Sequence, residues 1–114
     1  MSDSDRFIRA IELVESAGKG NAGLLGDDGR ARGRYQMHPA FFGRFAGRGR
    51  LGDTWDMYDA QIMQAFAAWW AREEHVVVWL DAALYYHYGH VPDGDPHGYA
   101  AKFRAAWAAT MEEE

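Results

Sequence analysis

Residues 4–23, SDRFIRAIELVESAGKGNAG, define the first element of the fold, because a helical pattern runs into a glycine-rich segment there. Apolar side chains recur with the spacing of one helix face over residues 4–15. This spacing predicts a helix whose N-cap is Asp3 or Ser4. The pattern stops at Gly18, so the predicted helix ends close to a glutamate–serine pair.

The two glutamates of this helix, Glu12 and Glu15, point in different directions. At about 100° per residue, Glu15 falls inside the apolar wedge between Ile8 and Ile11. Glu12 falls outside that wedge. A carboxyl held against apolar side chains is costly to ionise, so its pKa rises and it can keep its proton near neutral pH, as a general acid requires. A frayed helix end would instead turn Glu15 to solvent, and the helical phase leaves both interpretations open.

The composition is typical of one folded domain. The chain has 114 residues, 48% of them apolar, and five tryptophans, which is enough for a single packed core. Cysteine is absent, which excludes disulfides and thiolate metal sites. The histidines have no metal-ligand spacing, so we expect no metal and no other cofactor. We also expect no membrane span and no signal peptide.

The charge is unevenly distributed along the chain. The net charge is −5, yet six of the twelve basic residues lie in one acid-free stretch: Arg30, Arg32, Arg34, Arg44, Arg48 and Arg50. This cluster predicts a surface that faces anions. An acidic chain without a basic helix argues against nucleic acid as the partner.

Periodicity predicts three further helices. The second starts after Asp53 or Thr54 and runs to about Glu73. The third covers residues 76–88 and closes at Gly89, although its three leading valines would also suit a strand. The last lies within residues 93–114, with Asp95 as its cap and Pro96 in its first turn. The fold class is therefore mainly α.

The segment between the first two helices is rich in glycine. Residues 18–34 hold six glycines and two adjacent aspartates. They predict a long loop or a short β-hairpin with its turn at Asp27, Asp28 and Gly29. Loops of this length in small domains are usually functional when they are ordered.

Three segments in order resemble the motif series of the lysozyme-like superfamily. They are VES at residues 14–16, GRYQM at residues 33–37 and LDAALYYHYG at residues 80–89. They are similar to the glutamate–serine, glycine-x-x-glutamine and tyrosine-containing motifs of soluble lytic transglycosylases and goose-type lysozymes. The longer segment GDDGRARGRYQM, residues 26–37, looks like the form found in peptidoglycan-degrading domains of phage particles. The resemblance implies a lysozyme-like helical domain.

The resemblance also implies roles for individual residues. Glu15 matches the catalytic acid, which would give its proton to the glycosidic oxygen as an oxocarbenium-like transition state forms. The expected substrate-binding residues are Ser16, Gly33, Tyr35, Gln36, Tyr86 and His87. His87 departs from the family pattern, which has asparagine at that position; a buried, structural histidine is the alternative interpretation.

A second carboxylate would decide the type of reaction. Asp27 or Asp28 could activate water in an inverting hydrolase, about 6.5–9.5 Å from the acid. The lytic transglycosylases that this chain resembles use one glutamate as acid and then as base, while the 6-hydroxyl of the sugar closes an anhydro ring. Asp27 and Asp28 could equally be ordinary turn residues.

The expected activity is cleavage of the bond between N-acetylmuramic acid and N-acetylglucosamine in peptidoglycan. We expect peptidoglycan glycan strands as the substrate and phage virion proteins as further partners. The small size and the expected absence of a signal peptide suit a phage enzyme that is carried in the virion, or made in the host cytoplasm, and that acts on the cell wall. The arginine cluster could meet muramic carboxylates or dock on another subunit. A non-catalytic structural or glycan-binding protein with the same fold is the alternative.

Overall fold

The computed structural model describes residues 1–17, 25–26, 31–46 and 59–113. In these ranges the chain is mainly helical, which confirms the predicted class. The helices are α1 (Asp3–Ser16), α2 (Pro39–Ala46), α3 (Asp59–Glu73), α4 (Trp79–Tyr88) and α5 (Tyr99–Glu112). Two short strands, β1 (Leu25–Gly26) and β2 (Ala31–Arg32), pair antiparallel. No helix of the described ranges is long and apolar enough to cross a membrane.

Helix α1 begins and ends slightly outside its predicted limits. Its N-cap is Ser2, not Asp3 or Ser4, because the Ser2 hydroxyl accepts a hydrogen bond from the Asp5 backbone N–H at 3.1 Å. The left-handed C-cap residue is Ala17, with φ 55°. A left-handed alanine is strained by its Cβ, and glycine usually takes this position.

Helix α1 packs against α5 and α3. The buried Arg6 donates from Nη1 to the Thr110 hydroxyl at 3.1 Å. Arg9 forms an ion pair with Glu113 at 2.9 Å. The N- and C-terminal helices of the described chain are thus joined by both polar and apolar contacts.

The strands agree with the predicted hairpin. Gly26 lies opposite Ala31, and Leu25 lies opposite Arg32. The predicted turn at Asp27, Asp28 and Gly29 falls outside the described residues. The antiparallel pairing of β1 with β2 therefore supports the hairpin alternative of the prediction.

The predictions for α2 and α3 have different outcomes. Helix α2 was not predicted at all, and Pro39 is its first residue. Helix α3 ends at Glu73 as predicted, while its predicted start after Asp53 or Thr54 lies outside the described residues.

Helices α4 and α5 begin later than the sequence predicts. Val76, Val77 and Val78 precede α4 and are exposed. The backbone at Val78 is extended, with φ −115° and ψ 105°, which is the conformation that β-branched residues favour. The predicted end of α4 is confirmed, since Gly89 is its left-handed C-cap with φ 81°.

The predicted start of α5 was wrong, because the helix begins at Tyr99 and Pro96 lies before it. Asp95, which lies before the helix, nevertheless accepts hydrogen bonds from the backbone of its first turn. Its carboxylate accepts the backbone N–H of Tyr99 at 2.9 Å and that of Ala100 at 2.8 Å. The carboxylate therefore supplies the acceptors that the exposed helix N-terminus needs.

A cluster of aromatic rings forms the core, with Phe66 of α3 at its centre. Phe66 is fully buried. Ring centroids at 5.0–6.2 Å from that of Phe66 belong to Phe7, Phe41, Phe45, Trp69, Trp70, Tyr85 and Tyr86. Helices α1, α2, α3 and α4 therefore meet at one side chain.

We predict that Ala17→Gly stabilises the protein by about 0.5–1 kcal/mol, because glycine adopts the left-handed conformation without strain from a Cβ. The matched control is Ala105→Gly, on the exposed face of α5, where the same change should cost about 1 kcal/mol. Chemical denaturation measures both free energies of unfolding. Destabilisation by both variants would contradict the claim that the left-handed backbone of Ala17 is strained.

Candidate active site

A cleft of about 580 Å³ lies at the C-terminal end of α1. Its lining comes from α1, β2, the turn after β2, α4 and the loop before α5: Glu15, Ala31, Gln36, His38, Tyr86, His87 and His97. Segments far apart in the sequence therefore meet around Glu15. Among the described residues that line the cleft, Glu15 is the one carboxylate.

Glu15 is half-buried in the wall of the cleft. Burial raises the pKa of its carboxyl from 4.5 to about 7, and the nearby positive charge of Lys102 opposes this rise only in part. Glu12, one helical turn earlier, forms an ion pair with Arg9 at 2.8 Å. The two glutamates of α1 therefore differ in environment, and Glu15 is the one suited to hold a proton.

Two tyrosines, Tyr86 and Tyr99, lie close enough to Glu15 for its charge to affect them. Burial, and then the charge of Glu15, raises the pKa of both Tyr86 and Tyr99 well above the usual range. Both phenols therefore remain neutral hydrogen-bonding groups beside Glu15. Neither supplies a charge that would favour ionised Glu15.

Tyr86 joins α4 to the turn that carries Gln36. Its hydroxyl donates to the backbone carbonyl of Tyr35 at 2.5 Å. The ring packs edge-on against Phe41 with centroids 4.7 Å apart. Tyr86 therefore sets the distance between the third sequence motif and the second.

The GRYQM segment folds into a tight turn. Arg32 and Met37 exchange two backbone hydrogen bonds, at 3.0 and 2.9 Å, and close the turn. Gly33 and Gln36 are both left-handed, with φ 79° and 48°. Glycine takes this conformation freely, whereas glutamine takes it only where the surroundings enforce it. The turn is thus built to hold Gln36 in one place.

The Gln36 side chain is fixed from two directions. Its Nε2 donates to the Gly33 carbonyl at 2.9 Å. A Cβ at Gly26 would collide with the side-chain amide of Gln36. The glycine of β1 therefore leaves room for this amide, a function that the sequence did not suggest.

His87 is held by a neighbouring histidine and a tyrosine. Its ring stacks on Tyr99, with centroids 4.1 Å apart and planes 10° apart. Its Nε2 lies 2.7 Å from Nδ1 of His97. Burial lowers the pKa of His87, and the proximity of His97 lowers it further. A neutral imidazole is thus favoured in the cleft wall.

The remaining predicted site residues lie elsewhere or outside the described part. The Ser16 hydroxyl donates to the Glu12 carbonyl at 3.1 Å and does not line the cleft. Tyr35 is buried in the core, so its contribution near the cleft is its carbonyl. Asp27 and Asp28, the predicted candidates for a second carboxylate, lie outside the described residues.

Three members of the arginine cluster lie in the described part: Arg32 in β2, and Arg34 and Arg44, which have different partners. Arg34 forms an ion pair at 2.9 Å with the buried Asp59. Arg44 lies against aromatic rings. Arg30, Arg48 and Arg50 lie outside the described residues.

Comparison with protein-family models, with curated proteins and with solved structures gave no match for this chain. The chemistry of the site therefore rests on its own geometry. The described residues also contain no group of three or more histidine, aspartate or glutamate side chains placed to hold a metal ion.

Sequence reasoning missed two residues of the cleft, His38 and His97. His97 follows Pro96 in a polar segment that predicts only a turn. It reaches the cleft because its backbone N–H donates to the Tyr88 hydroxyl at 3.0 Å, and that hydroxyl donates to Asp95 at 2.5 Å. No periodic pattern signals such a loop contact.

The raised pKa of Glu15 predicts a pH-dependent stability difference between the wild type and Glu15→Gln. Folded Glu15 binds its proton more tightly than unfolded Glu15, so its stabilising contribution is full below pH 4.5 and is lost as the pH rises through about 7. From about pH 4.5 to 8, the wild type should lose about 1–3 kcal/mol relative to the variant.

Denaturant unfolding of both proteins across this range measures the difference, in which the titration of other groups largely cancels. A difference in unfolding free energy that stays constant with pH would contradict the raised pKa.

Proposed function

We propose that this protein is a peptidoglycan-cleaving glycosidase that acts on the bond between N-acetylmuramic acid and N-acetylglucosamine. The observation that supports this most is a half-buried Glu15 with a pKa of about 7, in a cleft shared with Gln36 and Tyr86. The sequence resemblance implies this same trio, and the fold brings its members to one cleft.

Glu15 would serve as the general acid. With a pKa of about 7, a substantial fraction of the molecules holds the proton at neutral pH. Donation of that proton to the glycosidic oxygen lets the sugar leave as a neutral alcohol while positive charge develops on the neighbouring ring. The glutamate that remains then stabilises that charge or accepts the next proton.

Gln36 and Tyr86 would orient the glycan. An amide side chain has both donor and acceptor atoms, which suits the acetamido groups and hydroxyls of the sugars, and one Nε2–H of Gln36 is already bonded to the Gly33 carbonyl. Tyr86 presents its ring beside Glu15, since its hydroxyl is already bonded to Tyr35. The fixed turn keeps the Gln36 amide pre-organised, which reduces the entropy lost on binding.

The described part of the cleft holds one carboxylate, that of Glu15. Glu15 would therefore act first as acid and then as base. This suits a lytic transglycosylase, in which the 6-hydroxyl of the sugar is the nucleophile. A lysozyme would need a water-activating carboxylate, for which Asp27 and Asp28 are the candidates.

The test is digestion of purified peptidoglycan by the wild type and Glu15→Gln, with the fragments identified by mass spectrometry. The substitution keeps shape and hydrogen bonding but removes the proton, so activity should fall by about 10²–10⁴-fold. Glu12→Gln is the matched control, because it changes a glutamate of the same helix that pairs with Arg9. It should retain activity.

The products separate the alternatives. Anhydro ends would identify a lytic transglycosylase, and reducing ends would identify a lysozyme. Full activity in folded Glu15→Gln would exclude Glu15 as the acid. Absence of fragments from the wild type on several wall types would instead favour a non-catalytic glycan-binding protein.

A further inference from the structure

A second pocket adjoins the Glu15 cleft. Its volume is about 400 Å³, and it shares His38, Tyr86 and His87 with the cleft. Its other walls include Phe41 and Arg44 of α2. A polymer lying in the cleft can therefore extend a substituent into this pocket.

Arg44 is held in this pocket by aromatic side chains. Its guanidinium carbon lies 5.0 Å from the ring centroid of Trp69, 5.2 Å from that of Tyr85 and 5.5 Å from that of Phe45. Nη1 donates to the Tyr85 hydroxyl. Such cation–π contacts restrict the guanidinium without neutralising it.

Arg44 keeps its charge available to a ligand. Its side chain is exposed, and the ion pairs among the described residues join other arginines, Arg9 and Arg34. A guanidinium presents five N–H donors in a planar fork, which matches a carboxylate through two parallel hydrogen bonds. The pocket therefore combines a fixed cationic fork with apolar ring faces.

We propose that this second pocket, which we call the Arg44 pocket, binds a carboxylate carried by the muramic acid residue of the substrate. This inference rests on the proposed function, since it places a glycan strand in the neighbouring cleft. Two sources supply the same chemistry: the lactyl carboxylate of muramic acid when no peptide is attached, and the carboxylates of the stem peptide when one is. The pocket gives the enzyme a means to distinguish muramic acid from N-acetylglucosamine along the strand.

The experiment measures the binding of three probes to the intact protein by calorimetry. The first is N-acetylglucosaminyl-N-acetylmuramic acid with its stem peptide, and the second is the same disaccharide with a free lactyl carboxylate. The third is an N-acetylglucosamine oligomer, which has no carboxylate. Arg44→Gln should weaken binding of a carboxylate probe by about 10-fold or more and leave the third probe unchanged.

The pattern across the probes identifies the source. A loss with the peptide-bearing probe alone assigns the stem peptide, and a loss with the second probe assigns the lactyl group.

Arg104→Gln is the matched control, because it removes the same charge at a pocket formed by Trp79, Leu80, Phe103 and Trp107. Arg104→Gln should bind all probes as the wild type does. Arg44→Lys, which keeps the charge but lacks the fork, should retain part of the affinity.

Equal weakening of all three probes by Arg44→Gln would overturn the proposal, as would unchanged binding of every probe. A wild type that binds none of the probes would overturn it too. Binding that depends on Arg44 in a protein that cleaves no peptidoglycan would support the pocket and contradict only the glycosidase activity. The two proposals therefore fail in distinguishable ways.

Discussion

The packing of aromatic rings around Phe66 is the constraint on which the rest of the structure depends. Phe66 contacts Phe7 of α1, Phe41 of α2 and Tyr86 of α4. Tyr86 in turn donates its hydroxyl to Tyr35, which fixes the turn that presents Gln36. The geometry of the cleft therefore follows from the core, because the side chain that packs in the core also positions the wall of the site.

Of the four helices that the sequence predicted, those with a long apolar periodicity were located best. The patterns of α1 and α3 locate these helices well, because one face must be buried in each case. Helix α2 was missed because it is short and contains Gly43, which breaks its pattern. Pro39 at its first position was the available signal. The late start of α5 reflects Asp95, whose carboxylate caps the helix from several residues away, a contact that residue spacing alone does not encode.

The candidate site was predictable where it depends on helix phase or on motif order. The half-buried position of Glu15 agrees with its phase relative to Ile11, although that phase had also left a solvent-facing helix end open. The position of His97 and the space that Gly26 leaves for Gln36 depend on tertiary contacts, so no local pattern revealed them. Ser16 is a residue that the motif predicted for the site but the structure places elsewhere, because its hydroxyl donates to the Glu12 carbonyl of its own helix.

The most direct measurement is a ¹³C NMR titration of the Glu15 side-chain carboxyl in the folded protein, with Glu15→Gln used to assign its resonance. Burial in the cleft predicts a midpoint near pH 7, which is what a proton donor at neutral pH requires. A midpoint near 4.5, the ordinary value for glutamate, would contradict the central claim that the fold keeps this carboxyl protonated for catalysis.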